Sequence, residues 1–489
     1  MTDRDGIRAN AKYLREVRPI DPDEIHEYVE GTPHPAVVRQ VLREEALDLG
    51  LVERADGTFV PAPETVVEPG WAPEAFPERY AAAFEELLVE RYGIDWHRGE
   101  SGDHLRETIR RLKERYYRQH PVEYDEHVAL GYGLYHLPDY YATVGYVLDT
   151  LAERGLVETP LRVLDVGAGT GGPMLGLHDY LPETALVDYH AVEPSAAADV
   201  LDHLLDETGR NFHATVHRTT VESLDLASLD PARGGDATED AAEDGSESGG
   251  AGFDLVLFSN VLSELDDPVD AVERVLDVVA SDGAVVAVEP ADKNTATTLR
   301  SVERSVVART GVSVYAPTLR LWPGEEPSDR GWSFDVRSDI AVPAFQSRLD
   351  AAGDDPGVFT NPTVQFAYAV LRPDGTRRVD VRADRARHAK MADFDRHVTQ
   401  RIDLLAVKLS HDLAADVDGG ANPLFKIGDG SEAVGVFAVL TRETSLNATL
   451  ARAPYGTVLS FEQALVLWND DEEAYNLVID GTTIVDRVG

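Results

Sequence analysis

The stretch LRVLDVGAGTGG, residues 161–172, is the one whose reading decides the fold of this chain. Val163, Leu164 and Val166 form an apolar run, Gly167, Gly169, Gly171 and Gly172 interrupt it, and PMLGLHDYL follows with helical spacing. The stretch therefore predicts a strand, a tight turn and a helix. Glycine lets backbone approach a ligand closely, and the first turn of a helix offers N–H groups without partners, so such a unit suits a nucleotide. Two cofactor patterns fit it. Gly167, Gly169 and Gly172 satisfy the dinucleotide pattern G-x-G-x-x-G, while Asp165, Gly167, Gly169 and Gly171 satisfy the acidic-x-G-x-G-x-G pattern of S-adenosylmethionine enzymes. A carboxylate at the strand's end suits a cationic, amino-acid-bearing cofactor better than a pyrophosphate, which favours the second pattern. A glycine-rich turn with no ligand is the plain alternative.

Outward from this turn, residues 161–373 alternate strands and helices, as a doubly wound α/β sheet requires. ALVDYHAVEPSAAADVLDHLL supplies a second strand and helix, with Glu193 at the strand's end, where an acidic side chain accepts hydrogen bonds from ribose hydroxyls. HATVHRTTVESLDL supplies a third strand, and Val221 and Glu222 after it are expected beside an adenine edge. FDLVLFSNVLSEL is a buried fourth strand ending in Ser259 and Asn260, and GAVVAVEPAD is a fifth ending in Glu289. Such sheets bind ligands at strand C-termini, so Asp165, Glu193, Asn260 and Glu289 are expected at one crevice. WSFDVRSDIAV and VQFAYAVLRPDG predict a closing antiparallel pair. The segment 234–252 is acidic and of low complexity, and it is expected to be disordered. The expected fold is α/β: a class I S-adenosylmethionine methyltransferase (Rossmann-like) sheet carrying N-terminal and C-terminal additions.

Residues 1–70 read as a winged-helix-like domain. DPDEIHEYV and PAVVRQVLREEALDLG have helical apolar spacing, with Asp21 as an N-cap and Gly50 as a stop, and LVERADGTFVP reads as a hairpin turning at Asp56 and Gly57. Nucleic-acid contact and a docking or structural role both fit this module. Residues 71–160 follow a proline-rich linker as helices. HLRETIRRLKERYYRQH carries Arg106, Arg110 and Arg111 beside Tyr116 and Tyr117, a pattern that suits an RNA backbone but equally a solvated helix face. ALGYGLYHLPDYYATVGYVLDTLAERG is rich in tyrosine and runs into the glycine-turn strand, as a wall beside the pocket or as packing. Residues 374–420 read as a basic linker and a helix, ADFDRHVTQRIDLLAVKLSHDL. In Arg372–Lys390, Arg377, Arg378, Arg382, Arg385 and Arg387 are candidate phosphate contacts, against pairing with the protein's own carboxylates. Residues 421–489 alternate short apolar runs with turns and predict a small β-barrel, OB-like, in which Trp468 and Tyr475 either stack on bases or fill the core.

Composition narrows the chemistry. A chain of 489 residues is expected to hold about three domains. The net charge of -43 comes with almost no lysine: Lys12, Lys113, Lys293, Lys390, Lys408 and Lys426 are all of it. Such a surface fits a protein solvated by molar salt, where the Debye length falls to about 3 Å and only close contacts count. The absence of cysteine excludes disulfides, thiolate-bound metal and a cysteine nucleophile. No stretch reaches the ~18 apolar residues of a membrane span, so a soluble, cytoplasmic chain without membrane contact is expected.

Beyond the glycine turn, a set of segments carries a more specific pattern: YHLPDYYATVGYVL (135–148), SNVLSEL (259–265), VVAVEP (285–290), VYAPTLRLWP (314–323), GWSFDVR (331–337) and VQFAYAVLR (364–372). Together with VLDVGAGTGG (163–172), they resemble the methyltransferase-like small-ribosomal-subunit assembly factors of mitochondria and microbes, over about half the chain. The resemblance implies S-adenosylmethionine as cofactor and the small ribosomal subunit or its rRNA as partner. Many members carry cysteines after the AP dipeptide and the tryptophan, forming a metal or iron–sulfur site. Thr318 and Ser333 stand there in this chain, so no metal is expected and packing by Trp322, Trp332 and Phe334 is expected to brace the lobe.

For methyl transfer, Asn260, Glu264 and Glu289 are the candidate substrate-orienting residues, although Glu264 also fits a solvated position at a helix start. Covalent methylation of pyrimidine carbon needs a cysteine and is excluded. The N-P-P-Y loop that holds an exocyclic amine is missing, because Val261 and Leu262 follow Asn260. Three readings stay open: a cofactor-binding protein, active or not as a methyltransferase, acting on small-subunit rRNA; a small-molecule methyltransferase; and a catalytically inactive assembly factor.

Overall fold

The computed structural model describes residues 3–229, 252–324, 331–415, 417 and 420–488. The acidic segment expected to be disordered lies outside the described residues up to 251. The chain divides into two compact units, one of residues 1–235, 252–257 and 339–362, the other of 236–251, 258–338 and 363–489.

The first unit opens with helices α1 (Arg4–Leu14), α2 (Pro22–Ile25), α3 (Pro35–Glu44) and α4 (Ala46–Leu49) and a hairpin of β1 (Leu51–Glu53) and β2 (Phe59–Pro61). Asp21 caps α2 through Asp23 N at 2.9 Å, and Gly50, at φ 59°, ends α4 in the left-handed region. Ile7, Ile20, Val38, Leu42, Leu51 and Phe59 share one small core. A short strand β3 (Thr65–Val66) pairs with β4 (Glu158–Thr159). Between them lie α5 (Glu78–Tyr92), α6 (Gly99–Tyr117) and α7 (Glu126–Ala152). The tyrosine-rich segment is thus one long helix, buried along most of its length.

The glycine-turn stretch forms β5 (Leu161–Val166), the turn, and α8 (Gly172–Tyr180). Helix α8 lies close against α7: a Cβ on Gly176 would meet Tyr141 O at 2.3 Å, and one on Gly172 would meet Leu137 O at 3.2 Å. Then follow β6 (Val187–Val192), α9 (Ala197–Leu205), β7 (Phe212–His217) and β8 (Phe253–Ser259). Strands β5, β6 and β7 run parallel, with Asp165 opposite Ala191.

The second unit continues with α10 (Pro268–Leu276), β9 (Val279–Pro290), α11 (Lys293–Thr310), β10 (Ser313–Ala316) and β11 (Asp335–Arg337). Helix α12 (Ala344–Ala351) belongs to the first unit, and β12 (Val364–Arg372) returns to the second. The expected closing pair is present, β11 against β12, and β12 also runs antiparallel to β9 and β10. The strand order of the sheet is β10-β12-β9-β8-β5-β6-β7.

The C-terminal part is a closed barrel of β13 (Arg401–Lys408), β14 (Leu424–Gly428), β15 (Val436–Leu440), β16 (Val458–Asn469) and β17 (Ala474–Ile479), with β18 (Ile484–Arg487) added on β16. Closure comes from β13 pairing with both β14 and β16, while β15 and β17 run parallel. Helix α13 (Ala448–Arg452) joins β15 to β16, which is the OB arrangement. The helix expected over ADFDRHVTQRIDLLAVKLSHDL is corrected here. Only a 3-10 turn, Met391–His397, precedes β13, and Ile402, Leu404 and Ala406 point with period two into the barrel core. The barrel therefore takes its first strand from the segment read as linker.

Asp429 joins the barrel to its own unit. Its buried carboxylate accepts from Trp322 Nε1 at 2.7 Å and Met391 N at 2.9 Å through one oxygen, and from Ser431 through the other. Ser333 Oγ lies 3.1 Å from Tyr455 Oη. Trp322 thus braces this lobe by a hydrogen bond as well as by packing, whereas Trp332 is exposed and donates to Ala291 O at 3.0 Å. No described helix is long and apolar enough to cross a membrane.

Candidate functional site

The glycine turn has the geometry its composition demands. Gly167, Gly169 and Gly171 take φ values of 70°, 55° and 88°, which side chains with a Cβ rarely adopt. Gly167 N donates to Val192 O at 2.8 Å, tying the turn to the end of β6. Glu193, the next residue, accepts from Gly169 N at 2.9 Å through Oε2 and from Ser195 N at 2.9 Å through Oε1. Its carboxylate therefore already holds the turn, and each oxygen keeps acceptor capacity for a further donor.

Asp165 sits at the end of β5 with 0 % of its surface exposed. Its Oδ2 accepts from the hydroxyl of Tyr189, and its buried Oδ1 has no hydrogen-bond partner among the described residues. Burial raises its pKa to about 7, opposed by the Tyr189 hydrogen bond and aided by nearby Glu193. Space is open above Gly169, where an added Cβ would find Gly167 O at 3.8 Å and Tyr132 Cε1 at 4.0 Å. Tyr132 comes from α7 and leads an aromatic group: Tyr124 lies 5.5 Å from it, Tyr140 6.0 Å and His136 5.1 Å, and His136 stacks on Tyr140 at 4.9 Å. The tyrosine segment thus both packs and walls the turn. Val221 is buried after β7, and Glu222 beside it is exposed.

Ser259, Asn260, Glu264 and Glu289 belong to the second unit. Ser259 is buried, with its Oγ unpartnered among the described residues. Asn260 adopts φ 59° and donates its N–H to Val288 O at 2.8 Å. Glu289, 1 % exposed, accepts from Leu262 N at 2.8 Å and from Ser263 Oγ at 3.2 Å, so it holds the loop that follows β8. Burial pushes its pKa up to about 8 against those hydrogen bonds. Glu264 is exposed in the turn before α10.

The arginine candidates separate. Arg106 is withdrawn as an RNA contact: it is 4 % exposed, and its guanidinium is spent on His97 O and Leu349 O, each at 3.1 Å, and on Asp103. Glycine at 102 and leucine at 105 carry it inward on the buried face of α6. Arg110 pairs with Asp355 at 3.2 Å over the ring of Phe359, and exposed Arg111 donates to Thr108 at 3.2 Å. Arg377 donates to Arg320 O at 2.7 Å, Arg378 N to Tyr315 O at 3.1 Å, and Arg385 pairs with Asp393 at 3.3 Å. Arg382 and Arg387 are exposed. Trp468 and Tyr475 face each other across β16 and β17 with rings 4.8 Å apart, Trp468 partly exposed. Sequence spacing did not reach Tyr132 as a neighbour of Gly169, since only the docking of α7 brings it there.

The strand order, with β5 between β8 and β6 and antiparallel β12 placed between β9 and β10, is that of the class I methyltransferase fold. Within this chain, residues 126–319 match the family described as mitochondrial small ribosomal subunit Rsm22, and over that span the resemblance read from the sequence is borne out. Residues 4–55 and 392–488 match the N-terminal and C-terminal domains of a family of unknown function, DUF8157. No curated protein matches the chain. Similar solved structures include the CurJ carbon methyltransferase (12% identity, 75% of this chain and 90% of that one, TM-score 0.30). The mitomycin 7-O-methyltransferase MmcR is another (14%, 76% and 92%, TM-score 0.26), as is the plantazolicin methyltransferase BpumL in complex with SAH (13%, 60% and 99%, TM-score 0.26). The fold assignment rests on the strand order itself.

Proposed function

We propose that this chain binds S-adenosylmethionine at residues 165–171 and acts on the RNA of the small ribosomal subunit, or in assembly of that subunit, as a methyltransferase-like factor. The observation that carries the reading is the turn: three left-handed glycines between a buried carboxylate with an unpartnered oxygen and a second carboxylate hydrogen-bonded to the turn's own amide. Asp165 would meet the cofactor's amino group, Glu193 its ribose hydroxyls, and Val221 and Glu222 its adenine edge. When bound, the cofactor supplies an electrophilic methyl group.

The RNA direction draws support from the family description over 126–319 and from exposed Arg111, Arg382 and Arg387. A winged-helix role for residues 1–70, nucleic-acid contact by the OB barrel, and a cytoplasm of molar salt are parts of the same proposal. A second reading, binding without methyl transfer, is favoured by one observation: Glu289 is buried and holds the loop after β8, accepting from Leu262 N and Ser263 Oγ.

Crosslinking to RNA in the native cells, with the crosslinked sites sequenced, tests the partner. Enrichment of small-subunit rRNA is expected, and its absence overturns the RNA reading. Mapping rRNA methyl groups in a deletion strain then separates transfer from binding alone.

A further inference from the structure

We infer that the second unit holds a phosphate pocket built by Arg320, Arg377, Arg382 and the hydroxyl of Thr318, and that it takes the phosphate of an RNA backbone or of a free nucleotide. The inference stands apart from the cofactor site and sharpens the RNA reading by naming where a phosphate would sit. A cavity of about 270 Å³ is lined by these residues together with Ser313 and Trp322. Its walls are fixed by three contacts between two segments: Arg378 N to Tyr315 O at 3.1 Å, Arg377 Nη2 to Arg320 O at 2.7 Å and Ala383 N to Leu321 O at 2.8 Å.

Two buried groups at this cavity lack hydrogen-bond partners. Thr318, 2 % exposed, has a buried Oγ1 without one among the described residues, and Nη2 of Arg320 likewise has none there. Arg320 Nη1 pairs with Glu303 Oε1 at 2.9 Å, and the other oxygen of that carboxylate accepts from Arg300 at 2.6 Å. Buried donors without acceptors are costly and rare, so two of them at one arginine-lined cavity point to a ligand. The charge agrees. Arg300, Arg320, Arg377 and Arg382 stand against Glu303 and Asp380, and Arg377 is pushed below the usual arginine range by burial and by Arg382 and Arg320. The negative end of α11 also borders the cavity, and the guanidinium groups outweigh it.

The donor set selects phosphate over carboxylate. Guanidinium forks match both, but a carboxylate has only two oxygens, whereas this site offers Nη2 of Arg320, the Thr318 hydroxyl, and further N–H groups of Arg377 and Arg382. Such a surplus of positive charge is otherwise scarce in a chain of net charge -43.

The test titrates the full chain with labelled oligouridylate, with adenosine monophosphate and with inorganic phosphate, over a range of KCl concentrations, for wild type, Arg382→Gln and Thr318→Val. Arg382 is exposed and Thr318→Val keeps the volume, so at least one of the variants is expected to fold, which the thermal transition reports. For an RNA phosphate, oligouridylate binds wild type, Arg382→Gln weakens it about tenfold and lowers the salt slope by about one. For a free nucleotide, adenosine monophosphate or inorganic phosphate shows the loss and oligouridylate does not. If none of the probes binds, or all bind both variants as tightly as wild type with the same slope, the pocket is overturned. A parallel titration of wild type with S-adenosylmethionine reports the cofactor site separately.

Discussion

Asp165 combines complete burial with an oxygen that no described residue satisfies, and its pKa of about 7 follows from that burial. A folded pKa raised above the ordinary value of 3.8 means that the native chain holds the proton longer. The stability this group contributes is therefore full below about pH 4 and is lost as pH rises through 7. A cationic ligand favours the ionised form, so affinity for S-adenosylmethionine should rise as pH goes from 6 to 8, by up to about tenfold. Asp165→Asn should bind more weakly and flatten that profile, as calorimetry at several pH values would show; an unchanged profile removes Asp165 from the site. Glu289 does different work. Glu289→Ala leaves buried Leu262 N without its acceptor and should destabilise the fold by about 1–3 kcal/mol in urea titration, whereas Glu289→Gln, which keeps an acceptor, should cost less. Asp165, Glu193 and the glycines were legible in the sequence because a strand end and a turn set their positions locally. Tyr132 and the burial of Arg106 were not, because each depends on how a helix docks on elements far away in the chain.

Helix packing makes the turn rigid from behind. Gly176 lets α8 lie against the backbone of α7, and Gly176→Ala would put a Cβ 2.3 Å from Tyr141 O. That contact is with backbone, which cannot rotate away, so the substitution should cost about 1–3 kcal/mol by chemical denaturation and weaken cofactor binding with it. A stability equal to wild type would show that the two helices are not held by this contact. Strands β5 and β8 were legible because each is a buried apolar run ending at a polar or glycine residue. Strand β13 was misread for a physical reason. Leu405 and Val407 are buried along with Ile402, Leu404 and Ala406, so the apolar residues fit a helical period as well as an alternating one. What decides the strand is pairing with β16, a partner more than fifty residues on.

For the molecule as a whole, charge is the leading constraint. Lys113, Lys408 and Lys426, half-buried or buried, donate to backbone carbonyls, and burial lowers each to a pKa of about 8. Much of the scarce lysine therefore serves internal structure, and arginine makes surface ion pairs such as Arg4–Glu44 and Arg218–Asp202. Screening of that repulsion predicts a melting temperature that climbs as KCl goes from about 0.1 M to molar concentration, read by calorimetry; a flat or falling trend would contradict the reading of the charge. Terminal modules were legible in kind, a helical module with a hairpin and a small barrel, because turn residues punctuate them. The joint at Asp429 and Trp322 was not, since a hydrogen bond between residues 107 positions apart leaves no local pattern. The most direct measurement is isothermal titration of the full-length chain with S-adenosylmethionine in molar KCl. One site per chain is expected, competed by S-adenosylhomocysteine, untouched by NAD and lost in Gly169→Val. A folded wild-type chain that gives no binding, or that binds NAD in its place, would falsify the assignment of residues 165–171 to this cofactor.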